Sequence, residues 1–236
     1  ELMTNVVPEK QSTYLQTTTG DQFPVGRVFC VGRNYEAHAR EMGKDPQRDP
    51  PFFFTKWPET VRNADPEDAL ETRYPPETKN YHHEAELVVA IGKAGFRIAE
   101  DQAKEHVWGY ATGLDMTRRD LQLEAREKGR PWDAGKNVEN SCPTGRLQPV
   151  SDGGHIDTGA ITLTVNGQTR QSADVADLIW SVPEIIADLS KFYALEPGDL
   201  IYTGTPAGVG AVLPSDVIVC TIDGLPSLEL KITDPA

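Results

Sequence analysis

His82-His-Glu-Ala-Glu-Leu-Val-Val-Ala-Ile91, closed by Gly92, reads as a β-strand with charge at one end and core at the other. Glu84 and Glu86 are two residues apart, so an extended backbone points both carboxylates to one face. Leu87 to Ile91 is wholly apolar, as expected of a strand running into a core.

Outward from this segment the chain keeps producing strands. Residues 27–31, 108–116, 161–165, 168–171, 199–203, 216–222 and 227–232 all read as extended. Asn166-Gly167 between two of them is a hairpin turn signal. Helical signals are fewer. Asn34 is placed to cap a helix to about Met42, and residues 100–106 read as a short helix. Thr117-Arg-Arg-Asp120 resembles a capping box for a helix to about Lys128, stopped by Gly129. Ser181-Val-Pro-Glu184 opens a helix to about Tyr193, with Pro in its first turn. Residues 43–80, rich in Pro and charge, are expected as long loops with one strand near 51–55. The expected class is α+β and β-rich. Residues 1–26 are expected as a loose arm or short edge ribbon, and 27–236 as a single catalytic domain with a lid region at about 34–80.

Charge and composition exclude several functions. Among 236 residues, 23 Lys and Arg face 36 Asp and Glu, a formal charge of −13. Neutralising nucleic-acid phosphates or docking on an anionic membrane needs clustered cations, so neither partner is expected. No apolar run reaches about eighteen residues, and the polar N-terminus lacks the layout of a secretory leader, so a cytoplasmic protein is expected. Cys30, Cys142 and Cys220 are far apart with no CxxC pair, which fits a reducing compartment and small buried thiols.

Glu84, Glu86 and Asp115, the last at the end of another apolar strand, would form a hard oxygen site. Such a site suits Mg²⁺, Mn²⁺ or Ca²⁺ better than Zn²⁺; otherwise the glutamates are an exposed strand edge. His83-Glu84 is not a zincin motif, because no second His follows at the required spacing, so His82 and His83 either support a metal ligand from behind or bond backbone. His38 and Glu41 share a helix face three residues apart. Such a carboxylate raises the His pKa and orients the ring, so the pair could activate water, or it is a plain surface pair. Arg119 and Gln122 stand in the same relation and suit a substrate carboxylate, or a solvated helix face. Lys136, in an aromatic and Gly-rich loop, could stabilise an enolate oxygen or be a surface Lys. Thr203-Gly-Thr-Pro-Ala-Gly-Val-Gly210 is neither a P-loop nor GxGxxG, but its amides and hydroxyls could bind an anion. No GxSxG elbow occurs, which argues against an α/β serine hydrolase.

Taken together and in order, these motifs resemble the fumarylacetoacetate hydrolase family. The stretches that carry the likeness are Val31-Gly-Arg-Asn-Tyr35 with His38 and Glu41, His82-His-Glu-Ala-Glu86, and Gly113-Leu-Asp-Met-Thr117 with Arg119, Asp120 and Gln122. Gly129-Arg-Pro-Trp132 with Lys136 and Leu200-Ile-Tyr-Thr-Gly-Thr-Pro206 with Gly208-Val-Gly210 complete it. Pro50-Pro-Phe-Phe-Phe-Thr-Lys56 and Leu178-Ile-Trp-Ser-Val-Pro183 bring the chain nearest the bacterial branch that acts on fumarylpyruvate in gentisate breakdown. The resemblance implies a mixed β-sandwich roll with a few peripheral helices, a divalent metal and usually a homodimer. It implies Glu84, Glu86 and Asp115 as metal ligands, Arg119, Gln122, Lys136 and Thr203 as contacts to the 2-oxo acid, and His38 and Glu41 as a lid pair that activates water. The implied reaction is metal-dependent hydrolysis of the C–C bond of a 2,4-dioxo acid, 3-fumarylpyruvate to fumarate and pyruvate, with Lys136 beside the enolate. The alternatives are decarboxylation or tautomerisation of oxaloacetate, a general acylpyruvase, or a non-catalytic binder of 2-oxo acids. Asn137-Val-Glu139 after Lys136, and Trp57 after Lys56, depart from the family pattern at the end of the pocket that sets chain length.

Overall fold

The computed structural model describes residues 4–43 and 49–236. Strand Ala85–Ile91 lies inside an eight-stranded mixed sheet and is buried at every position. The order across the sheet is Phe52–Lys56, Val28–Gly32, Leu200–Tyr202, Ala85–Ile91, Val107–Leu114, Cys142–Thr144 and Val61–Asn63, with Gln148–Pro149 also pairing onto Val107–Leu114. Alternation sends Leu87, Val89 and Ile91 into one core and Val88 and Ala90 into another. The strand therefore reads as continuous apolar sequence, because both of its faces are covered. Each such fully buried aliphatic side chain stabilises the fold by about 1.5–3 kcal/mol.

A five-stranded sheet covers the first face. Its order is Gln168–Asp174, Ala160–Val165, Val217–Ile222, Leu228–Thr233 and Leu70–Arg73. Ile161, Leu163 and Val165, with Ile218, Cys220 and Ile222, alternate into the shared core. Asn166 and Gly167 close the first hairpin with φ of 50° and 78°, the pair of positive values that a type I′ turn requires. A small sheet of Thr117–Arg118, Tyr81–His83 and Gly210–Ala211 caps one end. The N-terminal ribbon, Tyr14–Gln16 with Gln22–Pro24, is docked rather than loose, since Leu15 and Phe23 are buried in the second core. The result is the β-rich mixed roll expected from the sequence.

Several local expectations are corrected. Residues 49–80 hold three strands, Phe52–Lys56, Val61–Asn63 and Leu70–Arg73, each recruited by a distant partner rather than by local pattern. Helix Glu36–Glu41 starts after Tyr35 with no side-chain cap. Asn34 is instead spent on tertiary bonds: Trp180 N donates to its Oδ1, and its Nδ2 donates to the carbonyls of Trp180 and Thr203. Helix Arg119–Glu127 also lacks a side-chain cap, because Thr117 belongs to a strand. Ser181 does cap its helix, which ends at Leu189, short of Tyr193. Residues 1–3 of the arm and 44–48 of the lid region lie outside the described residues. Among the described residues, no helix is long and apolar enough to cross a membrane.

Candidate active site

Antiparallel pairing of Ala85–Ile91 with Val107–Leu114 sets Glu86 opposite Gly113 and Ala85 opposite Leu114. One step further, Asp115 N donates to Glu84 O at 2.9 Å, which fixes Asp115 beside the two glutamates. Carboxylate oxygens of Glu84, Glu86 and Asp115 all lie within 4.8 Å of one another, and all three residues are buried. They are not an exposed strand edge.

Three buried carboxylates this close require cations. Lys136, on the short helix Asp133–Lys136, places Nζ 2.9 Å from Glu84 Oε2, 2.7 Å from Asp115 Oδ2 and 2.8 Å from Thr117 Oγ1. Lys56 donates to Asp115 Oδ1 at 2.9 Å, to Met116 O at 3.1 Å and to the Lys136 carbonyl. Arg119 donates to Glu84 Oε1 and, at 3.0 Å, to Gln122 Oε1. Burial pushes the Glu84 carboxyl up, but the Lys136 and Arg119 cations hold it well below the usual range. Glu86 has no such partner. Among the described residues its Oε2 accepts only from Gly204 N at 2.9 Å, and burial with the Asp115 and Glu84 charges drives its pKa far up. Burial pulls Lys136 down, and Asp115 and Glu84 outweigh it to keep the ammonium above its ordinary pKa.

The donor set fits a divalent metal. It consists of carboxylate oxygens only, with one carboxylate short of positive charge, the environment a hard dication matches. Among the described residues, the buried Arg119 Nε has no hydrogen-bond partner, a donor left for a bound anion.

Above this floor opens a narrow cleft lined in part by His38, Glu84, Glu86, Arg119, Gln122 and Lys136. His38 is buried on helix Glu36–Glu41, with Nδ1 3.2 Å from Glu41 Oε2. The carboxylate of Glu41 also accepts from Gly208 N at 3.2 Å, which ties this helix to the loop after Leu200–Tyr202. Gly208 has φ +96°, and a Cβ there would lie 2.0 Å from Arg170 O, so the position requires glycine. The expected upward pull of Glu41 on His38 loses to burial, and the imidazole pKa falls below its ordinary value.

His82 and His83 stay outside the cleft. His83 Nδ1 lies 3.0 Å from Gln171 Oε1, which also accepts from Ala85 N, and His82 Nε2 lies 2.8 Å from Asn80 Oδ1. Thr203 is buried with Oγ1 donating to Leu87 O at 2.7 Å, and the threonine that lines the cleft is Thr205. Sequence reasoning left Lys56 without a role, and gave Thr205 and Gly208 one only as parts of a loop whose hydroxyls and amides could bind an anion. A lone Lys ending the run Phe52-Phe-Phe-Thr55 was the one available signal, since a buried Lys needs a buried acid.

The fumarylacetoacetate (FAA) hydrolase C-terminal family matches residues 27–233. The chain belongs to the fumarylacetoacetate hydrolase family. This family member is 56% identical over 181 residues to a fumarylpyruvate hydrolase of a Ralstonia species, covering 77% of this chain and 92% of the relative. It is 40% identical over 208 residues to the human mitochondrial oxaloacetate tautomerase, covering 88% and 92%. The crystal structure of a fumarylpyruvate hydrolase from Pseudomonas aeruginosa, in complex with Mn²⁺ and pyruvate, superposes with a TM-score of 0.96 at 51% identity, covering 98% of this chain and 100% of that one. The buried acidic triad and this metal-bearing neighbour together indicate a divalent-metal centre.

Proposed function

We propose that this protein is a hydrolase of the C–C bond in 2,4-dioxo acids, acting on 3-fumarylpyruvate to give fumarate and pyruvate. The observation that carries the reading is His38, held by Glu41, lining the same cleft as Glu84 and Glu86 of the acidic triad. Identity to a fumarylpyruvate hydrolase supports it.

Charge counting supports a dianionic substrate. The carboxylates of Glu84, Glu86 and Asp115 are offset by Lys56, Lys136 and Arg119, which touch them directly. Once metal binding ionises Glu86 as well, the three carboxylates balance the three cations, and the dication leaves a surplus matching a dianion, despite a total charge of −13. Mg²⁺ or Mn²⁺, or else Ca²⁺, held by Glu84, Glu86 and Asp115, would supply Lewis-acid polarisation of the 2-oxo acid end.

The residues of the chain do the rest. Arg119 and Gln122 hold the pyruvoyl carboxylate, with Arg119 Nε free to donate. Thr203 acts through the backbone it braces, and Thr205 faces the substrate. An ionised Glu41 only accepts, so it keeps the His38 proton on Nδ1 and leaves Nε2 as the base. His38 Nε2 takes a proton from water, and the water oxygen adds to the 4-oxo carbon. The bond between C3 and C4 breaks, its electron pair passes to the pyruvate fragment as an enolate, and that fragment regains a proton at C3. The Lys136 ammonium donates to the oxygen on which this charge develops.

The substrate places the enzyme in gentisate breakdown. Three buried free thiols suit a reducing, cytoplasmic setting, and the family resemblance a homodimer, for which light scattering on the eluting peak is the check. Glu41→Gln should lower kcat by about 10²–10⁴ while Mg²⁺-dependent oxalate binding, followed by calorimetry, persists. Unchanged turnover would remove Glu41 and His38 from the mechanism. Tautomerisation of oxaloacetate, favoured by the 40% identity to the human enzyme, needs no attacking water and would survive this substitution.

A further inference from the structure

Beyond its acidic floor the cleft carries two cations that hydrolysis does not use. Arg33 and Arg126 both line it, and both are half-buried. Among the described residues, neither has a carboxylate within ion-pair distance. Two half-buried guanidinium groups sharing a cavity repel each other, and burial together with the Arg126 charge pushes the Arg33 pKa down. An arrangement that costs stability in the free protein calls for an anion that relieves it.

The placement of each side chain is built. Arg33 follows strand Val28–Gly32 with φ +54°, a conformation a non-glycine residue seldom adopts. That turn lays its guanidinium over the Phe52 ring, 5.1 Å from the centroid. Phe52 in turn occupies the space a side chain at Gly32 would fill, where a Cβ would come 2.0 Å from the ring. Phe52 and Phe54 each meet Trp132 with centroids 5.6 Å apart, and Lys136 Nζ stands 4.9 Å from the Phe54 centroid. One aromatic wall therefore has a cation at each end, Lys136 at the floor and Arg33 at the rim.

Helix Arg119–Glu127 supplies the second ruler. Arg119, Gln122 and Arg126 fall on one face, and the first and last are seven residues apart, about 10 Å of helix rise. A seven-carbon 2,4-dioxo dicarboxylate has six bonds between its carboxyl carbons, about 7 Å when extended at roughly 1.2 Å per bond. With the carboxylate oxygens and two hydrogen bonds added, it spans that interval.

We infer that Arg33 and Arg126 bind the distal carboxylate of the substrate and thereby select 2,4-dioxo acids ending in a second carboxylate over neutral acylpyruvates. This rests on the hydrolysis reading above and adds a substrate-end reader to it. Arg119 with Gln122 takes the pyruvoyl carboxylate, the aromatic wall flanks the planar middle, and the rim pair takes the far end.

The test is a ratio: kcat/KM for 3-fumarylpyruvate over kcat/KM for acetopyruvate, which ends in a methyl group, for wild type, Arg126→Gln, Arg126→Lys and Arg33→Gln, with saturating Mg²⁺. Taken within one preparation, it does not depend on the folded fraction. A charge-assisted bond lost should lower the ratio about tenfold or more in both Gln variants, mainly through the fumarylpyruvate KM, with Arg126→Lys falling between. A ratio unchanged in both Gln variants overturns the assignment, as does an equal drop on both substrates. Wild-type enzyme that turns over neither dioxo acid defeats the hydrolysis reading instead. Activity on both with a wild-type ratio near one refutes only the rim pair.

Discussion

Replacing Lys56 by Met tests whether the acidic triad depends on a buried cation. The Lys56 side chain is 0% exposed, and its ammonium meets Asp115 Oδ1 at 2.9 Å and the carbonyls of Met116 and Lys136. Met has a similar stem, so packing against the sheet survives while the charge and its donors vanish. Asp115 loses its Lys56 partner, and the carbonyls of Met116 and Lys136 lose a donor. Removing one partner of a buried ion pair costs about 3–5 kcal/mol. That is a large part of the total stability of about 5–15 kcal/mol typical of a domain. For a chain of this size each kcal/mol moves Tm by about 2–4 °C, so a drop of roughly 6–20 °C is expected. Thermal melts should be run in EDTA and again with Mg²⁺, because a dication at the triad replaces much of the lost charge and should narrow the deficit. A Lys56→Met Tm within about 2 °C of wild type in EDTA would refute the charge-balance reasoning.

Other perturbations address the chemistry. Burial lowers the His38 pKa, so the neutral base persists below pH 6.5 and activity should decline only as pH falls through that lowered value; an acid limb of kcat/KM centred above pH 7 would contradict this. By the same sign the folded state binds fewer protons at His38 than the unfolded chain, and that contribution weakens stability as pH drops below 6.5. Gly208→Ala forces a Cβ against Arg170 O and displaces the N–H that holds Glu41, costing about 1–3 kcal/mol of stability and lowering kcat more than a matched Gly129→Ala control at an open surface turn. Glu84→Gln should abolish the Tm rise produced by Mg²⁺, about 2.7 kcal/mol of stabilisation at a hundredfold excess over Kd in wild type, and metal-stimulated turnover with it.

Much of this protein was legible in sequence because its signals are local. Glu84-Ala-Glu86 and the apolar run after it identify a buried strand with two carboxylates on one face, since side-chain direction in a strand follows from period alone. Asn166-Gly167 identifies a hairpin, because few residues accept two successive positive φ values. The order of motifs along the chain pointed to the family and so to the three carboxylates that the fold brings together.

What tertiary structure decided are the contacts that sequence distance hides. Nothing local shows that Lys56, 59 residues from Asp115, neutralises it. Asn34 reads as a helix cap until Trp180 and Thr203 compete for its amide. Strands Val61–Asn63 and Leu70–Arg73 form because Cys142–Thr144 and Leu228–Thr233 offer open edges, a cause lying far along the chain. The His38 pKa turned on burial, which outweighs the adjacent Glu41 that the spacing made visible. Arg33 and Arg126 face one cleft only because a turn at φ +54° and the helix Arg119–Glu127, which carries Arg126 seven residues beyond Arg119, bring their guanidinium groups to the same rim. Sequence determines which chemical groups exist and how neighbours share a face; desolvation and long-range Coulomb terms, which set what those groups do, exist only once the chain has closed around them.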